Sequence, residues 1–275
     1  PETALSSSKR GKMHILVTND DGVHAPGLLA LARAARTLSD KVTVLAPDHN
    51  WSASGHVKTL HRPLRVNETE LEDGTPAWAS DGAPSDCVAL AQLGFIPDKI
   101  DLVLSGINPN ANIGHDVTYS GTVTAAMEAA IWGIPGIAVS VDRPEELSGP
   151  MDYSPAAEAA RRIVLWLRDQ DGLPEDMVLN INVPYGPLSE MKGFRITRQG
   201  LRIYRDELVR RLDPRGKPYY WIGGEAPIGV EEPGTDYGAL LAGYVSITPI
   251  QLDLTSGSLQ DWMERSGFEG DLRVD

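Results

Sequence analysis

Two aspartates stand side by side in the stretch Val17-Thr18-Asn19-Asp20-Asp21-Gly22-Val23-His24-Ala25-Pro26-Gly27. Adjacent carboxylates repel, and burying both without a cation costs several kcal/mol or forces one to hold a proton. A solvated turn before a helix would also use aspartate, as a cap and against the helix dipole. Two further loops weigh against that simpler use. Asp48, Asn50, Ser52 and Ser54 follow one apolar run, and Ser105, Asn108, Asn110 and Asn112 follow another. Together they offer carboxylate, hydroxyl and amide oxygens with no Cys/His cluster. Hard divalent cations such as Mg²⁺ or Mn²⁺ take such ligands, whereas zinc draws on His or Cys.

Ser120-Gly121-Thr122 supplies a second kind of chemistry. It stands where a small-residue helix is expected to start, with hydroxyls, a glycine and unpaired N–H groups. That is an anion site or a plain helix cap. No G-x-x-x-x-G-K-[ST] loop occurs, which argues against a GTPase or kinase of that class. No G-x-S-x-G elbow occurs either, so a serine hydrolase mechanism has no support. His24 and His115 lie near the site in sequence and could carry protons, although a supporting or surface role is the simpler one. His14, His49, His56 and His61 have no metal-site spacing. Cys87 falls in an apolar helical run and reads as core.

These groups need elements that bring them to one place. Met13 to Thr18, Lys41 to Ala46, Ile100 to Leu104, Gly136 to Ser140 and Val178 to Val183 read as strands. Arg62 to Val66 and Ala77 to Ser80 read as short strands around a turn at Glu72-Asp73-Gly74. Helices are expected from near Pro26, over Cys87 to Leu93, Val123 to Trp132 and Ala156 to Leu167, where apolar residues recur at helical spacing. Alternation of strands and helices argues for an α/β, doubly wound, mostly parallel sheet. In such a sheet ligands bind at the carboxyl edge, so the three oxygen-bearing loops converge. After Pro184 the texture becomes β-rich: Phe194 to Arg198, Leu201 to Tyr204, Pro218 to Ile222 and Gly243 to Thr248 read as strands, and Leu259 to Met263 as a short helix. The aromatic run Tyr219-Tyr220-Trp221 suits hairpin packing or a subunit interface. Residues 13–185 are therefore expected to form the catalytic core, and 186–275 a hairpin and helix arm packed on it.

The 275 residues carry a net charge of −13 and a sequence pI near 4.9, so stable nucleic-acid binding is not expected. One cysteine excludes an intrachain disulfide and suits the reducing cytoplasm. No apolar run approaches the roughly 18 residues of a membrane span. Residues 1–12 are polar, Ser-rich and basic without the apolar stretch of a signal peptide, and read as a disordered tail.

Several motifs in order resemble one family. They are Asn19-Asp20-Asp21-Gly22 with His24-Ala25-Pro26-Gly27, Ala46-Pro47-Asp48 with Ser52, Ser105-Gly106-Ile107-Asn108, and Tyr119-Ser120-Gly121-Thr122-Val123. Later come Asp213-Pro214-Arg215-Gly216, Tyr220-Trp221-Ile222-Gly223, Pro233-Gly234-Thr235-Asp236 and Gly243-Tyr244-Val245-Ser246-Ile247-Thr248-Pro249. The chain thus resembles the SurE survival-protein family over about Met13 to Met263. The resemblance implies a Rossmann-like core and a metal-dependent 5′/3′-nucleotidase with one Mg²⁺ or Mn²⁺ per subunit. It implies Asp20, Asp21, Ser52 and Asn108 as metal ligands, and arms exchanged in a homodimer or homotetramer. One departure stands out: the family's Gly-Thr-Pro-x-Asp-Cys run is here Gly82-Ala83-Pro84-Ser85-Asp86-Cys87, without the threonine hydroxyl.

On this reading Asp20 and Asp21 are catalytic. Asp20 orients or deprotonates the attacking water, with direct carboxylate attack left open. Asn108, Asn112, Ser120, Gly121 and Thr122 hold the phosphate oxygens. Trp51 and Tyr119 are the candidates to meet a base. The alternatives are a broad acid phosphatase or exopolyphosphatase, and a nucleotide-binding stress regulator without turnover.

Overall fold

The computed structural model describes residues 13–144, 146–170, 174, 176–266 and 268, without the side chains of 225 and 226. The tail expected over 1–12 lies outside the described residues. Along the chain come β1 (His14–Thr18), α1 (Pro26–Leu38), β2 (Lys41–Pro47), β3 (Val66–Glu70), β4 (Pro76–Ser80), α2 (Pro84–Leu90), β5 (Leu102–Asn108), α3 (Gly121–Ile131), β6 (Gly136–Asp142), α4 (Ser154–Arg168) and β7 (Val178–Pro184). Then follow β8 (Phe194–Ile196), β9 (Arg202–Leu212), β10 (Pro218–Gly229), α5 (Asp236–Leu241), β11 (Val245–Ile250) and α6 (Gly257–Arg265).

One nine-stranded sheet has the order β3-β4-β2-β1-β5-β6-β7-β11-β8. Its centre, β4 to β7, is parallel, while β3 and β11 run antiparallel to their neighbours β4 and β7. The chain leaves β1 toward β2 on one side and resumes at β5 on the other. The switch point therefore lies at the carboxyl ends of β1 and β5, beside Asp20 and Asn108.

Period-two alternation builds a core on each face. Ile15 and Val17 of β1 pack with α1 and α4, whereas Leu16 packs with Cys87, Val88, Ala125 and Ala129 of α2 and α3. All three β1 side chains are fully buried, each contributing about 1.5–3 kcal/mol. Strands buried on both faces read as continuous apolar runs, which is why the parallel strands are visible in the sequence.

Several expected boundaries move. The strand expected at Arg62 to Val66 forms instead at Val66–Glu70. Pro63 lacks an N–H for a ladder, and Arg62 is drawn to Asp81 at 2.9 Å. The third core strand runs on through Ser105-Gly106-Ile107-Asn108, so Asn108 ends a strand rather than sitting inside a loop. The arm expected over 186–275 divides: β8 and β11 extend the main sheet, while β9 and β10 pair only with each other. α5, which the sequence reading lacks, starts at the cap Thr235, whose hydroxyl accepts the Gly238 N–H at 3.0 Å. Among the described residues no helix is long and apolar enough to cross a membrane.

Candidate active site

β1 delivers the aspartate pair through a turn closed by Asn19. Its side-chain nitrogen donates to the Gly22 carbonyl at 2.9 Å, and its side-chain oxygen accepts the Gly22 N–H at 3.2 Å. Asp20 is 3% exposed. Its Oδ1 accepts the Thr122 hydroxyl at 2.6 Å, and its Oδ2 accepts the Thr122 N–H at 3.1 Å. The N-terminus of α3 is thus aimed at this carboxylate, as its unpaired amides and dipole favour. Gly121 makes the approach possible: a Cβ there would stand 2.8 Å from Asp20 Cβ.

The expected phosphate cradle is therefore partly engaged inside the protein. Thr122 grips Asp20, and Ser120 Oγ caps α3 by accepting the Val123 N–H at 3.0 Å. Burial raises the Asp20 pKa above its ordinary value, and the Thr122 hydrogen bonds oppose that rise. Asp21 lines a cleft of about 380 Å³. Burial, then the charge of Asp20, pushes its pKa up to about 7.

The cleft is lined by residues 21–26, Asp48, Asn50, Pro109 and Tyr153, with no Lys or Arg among them. Two adjacent carboxylates, at least one of them disposed to keep its proton, form a donor set that a divalent cation would complete. Asp20, Asp21, Ser52 and Asn108 are oxygen donors of the right chemistry for Mg²⁺ or Mn²⁺. No larger His, Cys, Asp or Glu cluster of metal-site type occurs among the described residues.

The second loop is laid against the first by the backbone. Trp51 N–H donates to the Asp20 carbonyl at 2.7 Å, and Val23 N–H to the Pro47 carbonyl at 2.7 Å. Asn50 approaches Asp21 at 3.5 Å and accepts the Ser52 N–H at 2.7 Å. Ser52 itself is exposed. The far side of this loop is tied to buried acids. Glu128, in α3, accepts from His56 at 2.8 Å, Lys58 at 3.2 Å and Trp132 at 2.9 Å. Burial alone would raise the Glu128 pKa, but these donors bring it down to about 2. Asp86 accepts the Thr59 N–H at 2.9 Å and the Thr59 hydroxyl at 2.7 Å. Asp86 also accepts the Ala83 N–H at 2.9 Å, so a carboxylate supports the start of α2 where Ala83 has no hydroxyl.

The third loop hangs on β7. Asn108 Nδ2 donates to the Asn110 carbonyl at 2.5 Å. Asn112 is buried: its N–H meets Asn182 Oδ1 at 2.8 Å, and its Nδ2 donates to Ser140 Oγ at 2.8 Å. Its carbonyl accepts from Asn180 at 2.7 Å and Asn182 at 3.1 Å. Asn112 therefore fixes the loop from within. Asp236, fully buried at the start of α5, accepts the N–H groups of Gly114 and Gly200, each at 2.8 Å.

Trp51 lies beside His49, with ring centroids 5.2 Å apart and the rings tilted by 33°, and Tyr119 is 61% exposed; neither lines the cleft. His24 lines it, whereas His115 is an exposed residue of the 114–118 turn. The sequence reading gave no role to Glu128, Asn180, Asn182 or Tyr153, and named Asp236 only as part of the Pro233-Gly234-Thr235-Asp236 motif. Of the first four, Glu128, a lone acid in a small-residue helix, carried a visible signal.

The family described as Survival protein SurE matches residues 15–206. A protein named 5′-nucleotidase SurE from Herpetosiphon aurantiacus is 53% identical over 253 residues, 92% of this chain and 96% of that protein. One of the same name from Chloroflexus aggregans is 52% identical over 252 residues, 92% of this chain and 97% of its own length. The crystal structure of the SurE protein from Aquifex aeolicus matches with a TM-score of 0.76 at 40% identity, covering 94% of this chain and 100% of that one. The motifs, the sheet and these likenesses agree: the chain belongs to the SurE survival-protein family.

Proposed function

We propose that the chain is a divalent-metal-dependent nucleotidase that hydrolyses nucleoside 5′- and 3′-monophosphates to nucleoside and inorganic phosphate. The observation that carries this reading is the aspartate pair at the switch point, Asp20 held by Thr122 and Asp21 lining a cleft without Lys or Arg. Relatives named 5′-nucleotidase SurE at about half identity support the nucleotidase class.

Asp20, Asp21, Ser52 and Asn108 would hold one Mg²⁺ or Mn²⁺. When bound, such a cation offsets charge on phosphate oxygens and lowers the pKa of water. The protein's own residues supply orientation and proton handling. Asp20, fixed by the two bonds from Thr122, orients the attacking water or takes its proton. A bond from the water oxygen to phosphorus forms as the bond from phosphorus to the ester oxygen breaks, and the proton the water gives up is passed on, from Asp20 or through solvent, to the nucleoside oxygen, which leaves as the hydroxyl. Asn108, the Ser120 hydroxyl and the Gly121 N–H hold the remaining phosphate oxygens. Thr122, whose hydroxyl and N–H both go to Asp20, and Asn112, whose amide goes to Ser140, act by keeping the α3 N-terminus and the third loop in place.

The exposed ribbon of β9 and β10 supports a homodimer or homotetramer through the C-terminal region. Leu208, Tyr220, Trp221 and Ile222 are 70%, 54%, 62% and 83% exposed. A cytoplasmic location suits the single buried cysteine.

The test is phosphate release from 5′-AMP, 3′-AMP, p-nitrophenyl phosphate and short polyphosphate, with Mn²⁺ or Mg²⁺ and with a chelator. Metal-dependent release greatest on the two nucleotides is expected. Equal rates on all four would favour a broad phosphatase, and tight nucleotide binding without release a binding protein.

A further inference from the structure

Tyr153 enters the cleft from outside the three loops that carry the acids. It stands just ahead of α4, more than 100 residues from Asp21, and it lines the same cleft as Asp21, His24, Asn50 and Pro109. The residue is half-buried, packed against the core beneath α1 and α4. Its ring lies close to α1, since a Cβ built on Gly27 would meet Tyr153 Cε1 at 3.2 Å. Its backbone is fixed as well, the Tyr153 carbonyl accepting the Ala157 N–H at 3.0 Å. It is thus a held aromatic ring in the wall of a cleft that also carries Asp21, Asp48 and Asn50. Burial, and after it the charge of Asp21, raises its phenol pKa above the ordinary value, as closeness to that carboxylate requires.

The cleft volume of about 380 Å³ falls in the range of small-molecule sites, so it has room for more than a phosphate. Asp21 occupies its acidic side with Asp48, and is the one member of the proposed metal set that lines the cleft. Val23, Pro26, Pro109 and Tyr153 give the lining its apolar part. Beside the smaller imidazole of His24, Tyr153 is the one Phe, Tyr or Trp among the lining residues, and the flat face of a base is what such a ring recognises without regard to its identity. Trp51 and Tyr119 do not line this cleft.

We infer that Tyr153 is a specificity-determining residue that receives the nucleoside part of the substrate, favouring nucleoside monophosphates over phosphomonoesters without a base. The inference rests on the nucleotidase reading above. It assigns base recognition to a residue that selects by stacking, so the purine or pyrimidine identity matters little.

The experiment compares Tyr153→Leu, Tyr153→Ala and Tyr153→Phe with the unaltered protein on AMP and on ribose 5-phosphate, which shares the sugar and phosphate but lacks the base. The leucine variant keeps apolar bulk against α1, so it covers the case in which alanine fails to fold. The ratio of kcat/KM for AMP over ribose 5-phosphate is expected to fall about tenfold in the leucine and alanine variants and to stay near the original in the phenylalanine variant. The inhibition constant for adenosine is expected to rise by a similar factor, with that for inorganic phosphate unmoved. An unchanged ratio, or equal losses on both substrates, would overturn the assignment while leaving the nucleotidase reading in place. Absence of release from either substrate by the unaltered protein would overturn that reading and this assignment together.

Discussion

The carboxyl edge of the sheet and the β9–β10 ribbon solve opposite problems with the same chain. At the sheet edge, buried acids are placed against donors: Asp20 on Thr122, Glu128 on His56, Lys58 and Trp132, Asp86 on Thr59, Asp236 on Gly114 and Gly200. Loops that would otherwise be loose are held there by charge-assisted hydrogen bonds. In the ribbon, large apolar side chains stay in water and the strands pair only with each other. A two-stranded ribbon is at best marginally stable alone. In the first region the buried acids find their donors within one chain, and the second is the surface proposed above to meet another copy.

If that contrast is right, perturbing the two regions should have separable effects. The largest effect is expected from chelation: phosphate release falls by about a thousandfold or more with the melting temperature only modestly lowered, measured by release assay and circular dichroism. Next comes Gly121→Ala. Its Cβ must displace Asp20, so kcat is expected to fall about 10- to 100-fold while oligomeric mass is unchanged. Trp221→Ser with Ile222→Asp does the reverse. Light scattering should show a smaller assembly, and a mass equal to that of the unaltered protein would contradict the ribbon's proposed role.

The smallest effect lies within the sheet-edge region and is read by pH. Glu128 has a folded pKa of about 2 against an ordinary 4.5. A depressed carboxylate pKa stabilises above the unfolded value and loses that contribution as pH falls from about 4.5 toward 2. Glu128→Gln is therefore expected to lose about 2–3 kcal/mol at neutral pH, less than a fully buried pair because Lys58 is half exposed. The variant's deficit should shrink on acidification, and a deficit independent of pH down to 2 would contradict the role of the Glu128 charge.

The sequence made the central strands legible because strands covered on both faces must be apolar throughout, as Ile15-Leu16-Val17 and Leu102-Val103-Leu104 are. α1 and α4 were legible through their helical period. β3 was misplaced because a polar edge strand, Val66–Glu70, has no buried face to pattern it. The length of the ribbon was hidden for a related reason: its charged and apolar residues follow no strict alternation, and it pairs with no strand of the main sheet. In the site, the aspartate pair and two oxygen-bearing loops are visible by residue type near strand ends, and the family resemblance alone singles out Ser52 and Asn108 within those loops. Their supports are not visible in this way, because they act across the chain. Thr122 meets Asp20 from 102 residues away, and Asp236 meets Gly114 from 122. Tyr153 has no local pattern at all, and only the packing against α1 reveals it.

The most direct test of the account is Asp20→Asn assayed on AMP with saturating Mn²⁺, beside its melting curve. Asparagine keeps an oxygen for the Thr122 hydroxyl but loses the charge and the capacity to take a proton. A fall in kcat of about a thousandfold or more, near 4 kcal/mol of transition-state stabilisation, with a folded protein, is the predicted result. Turnover within about threefold of the unaltered protein would contradict it.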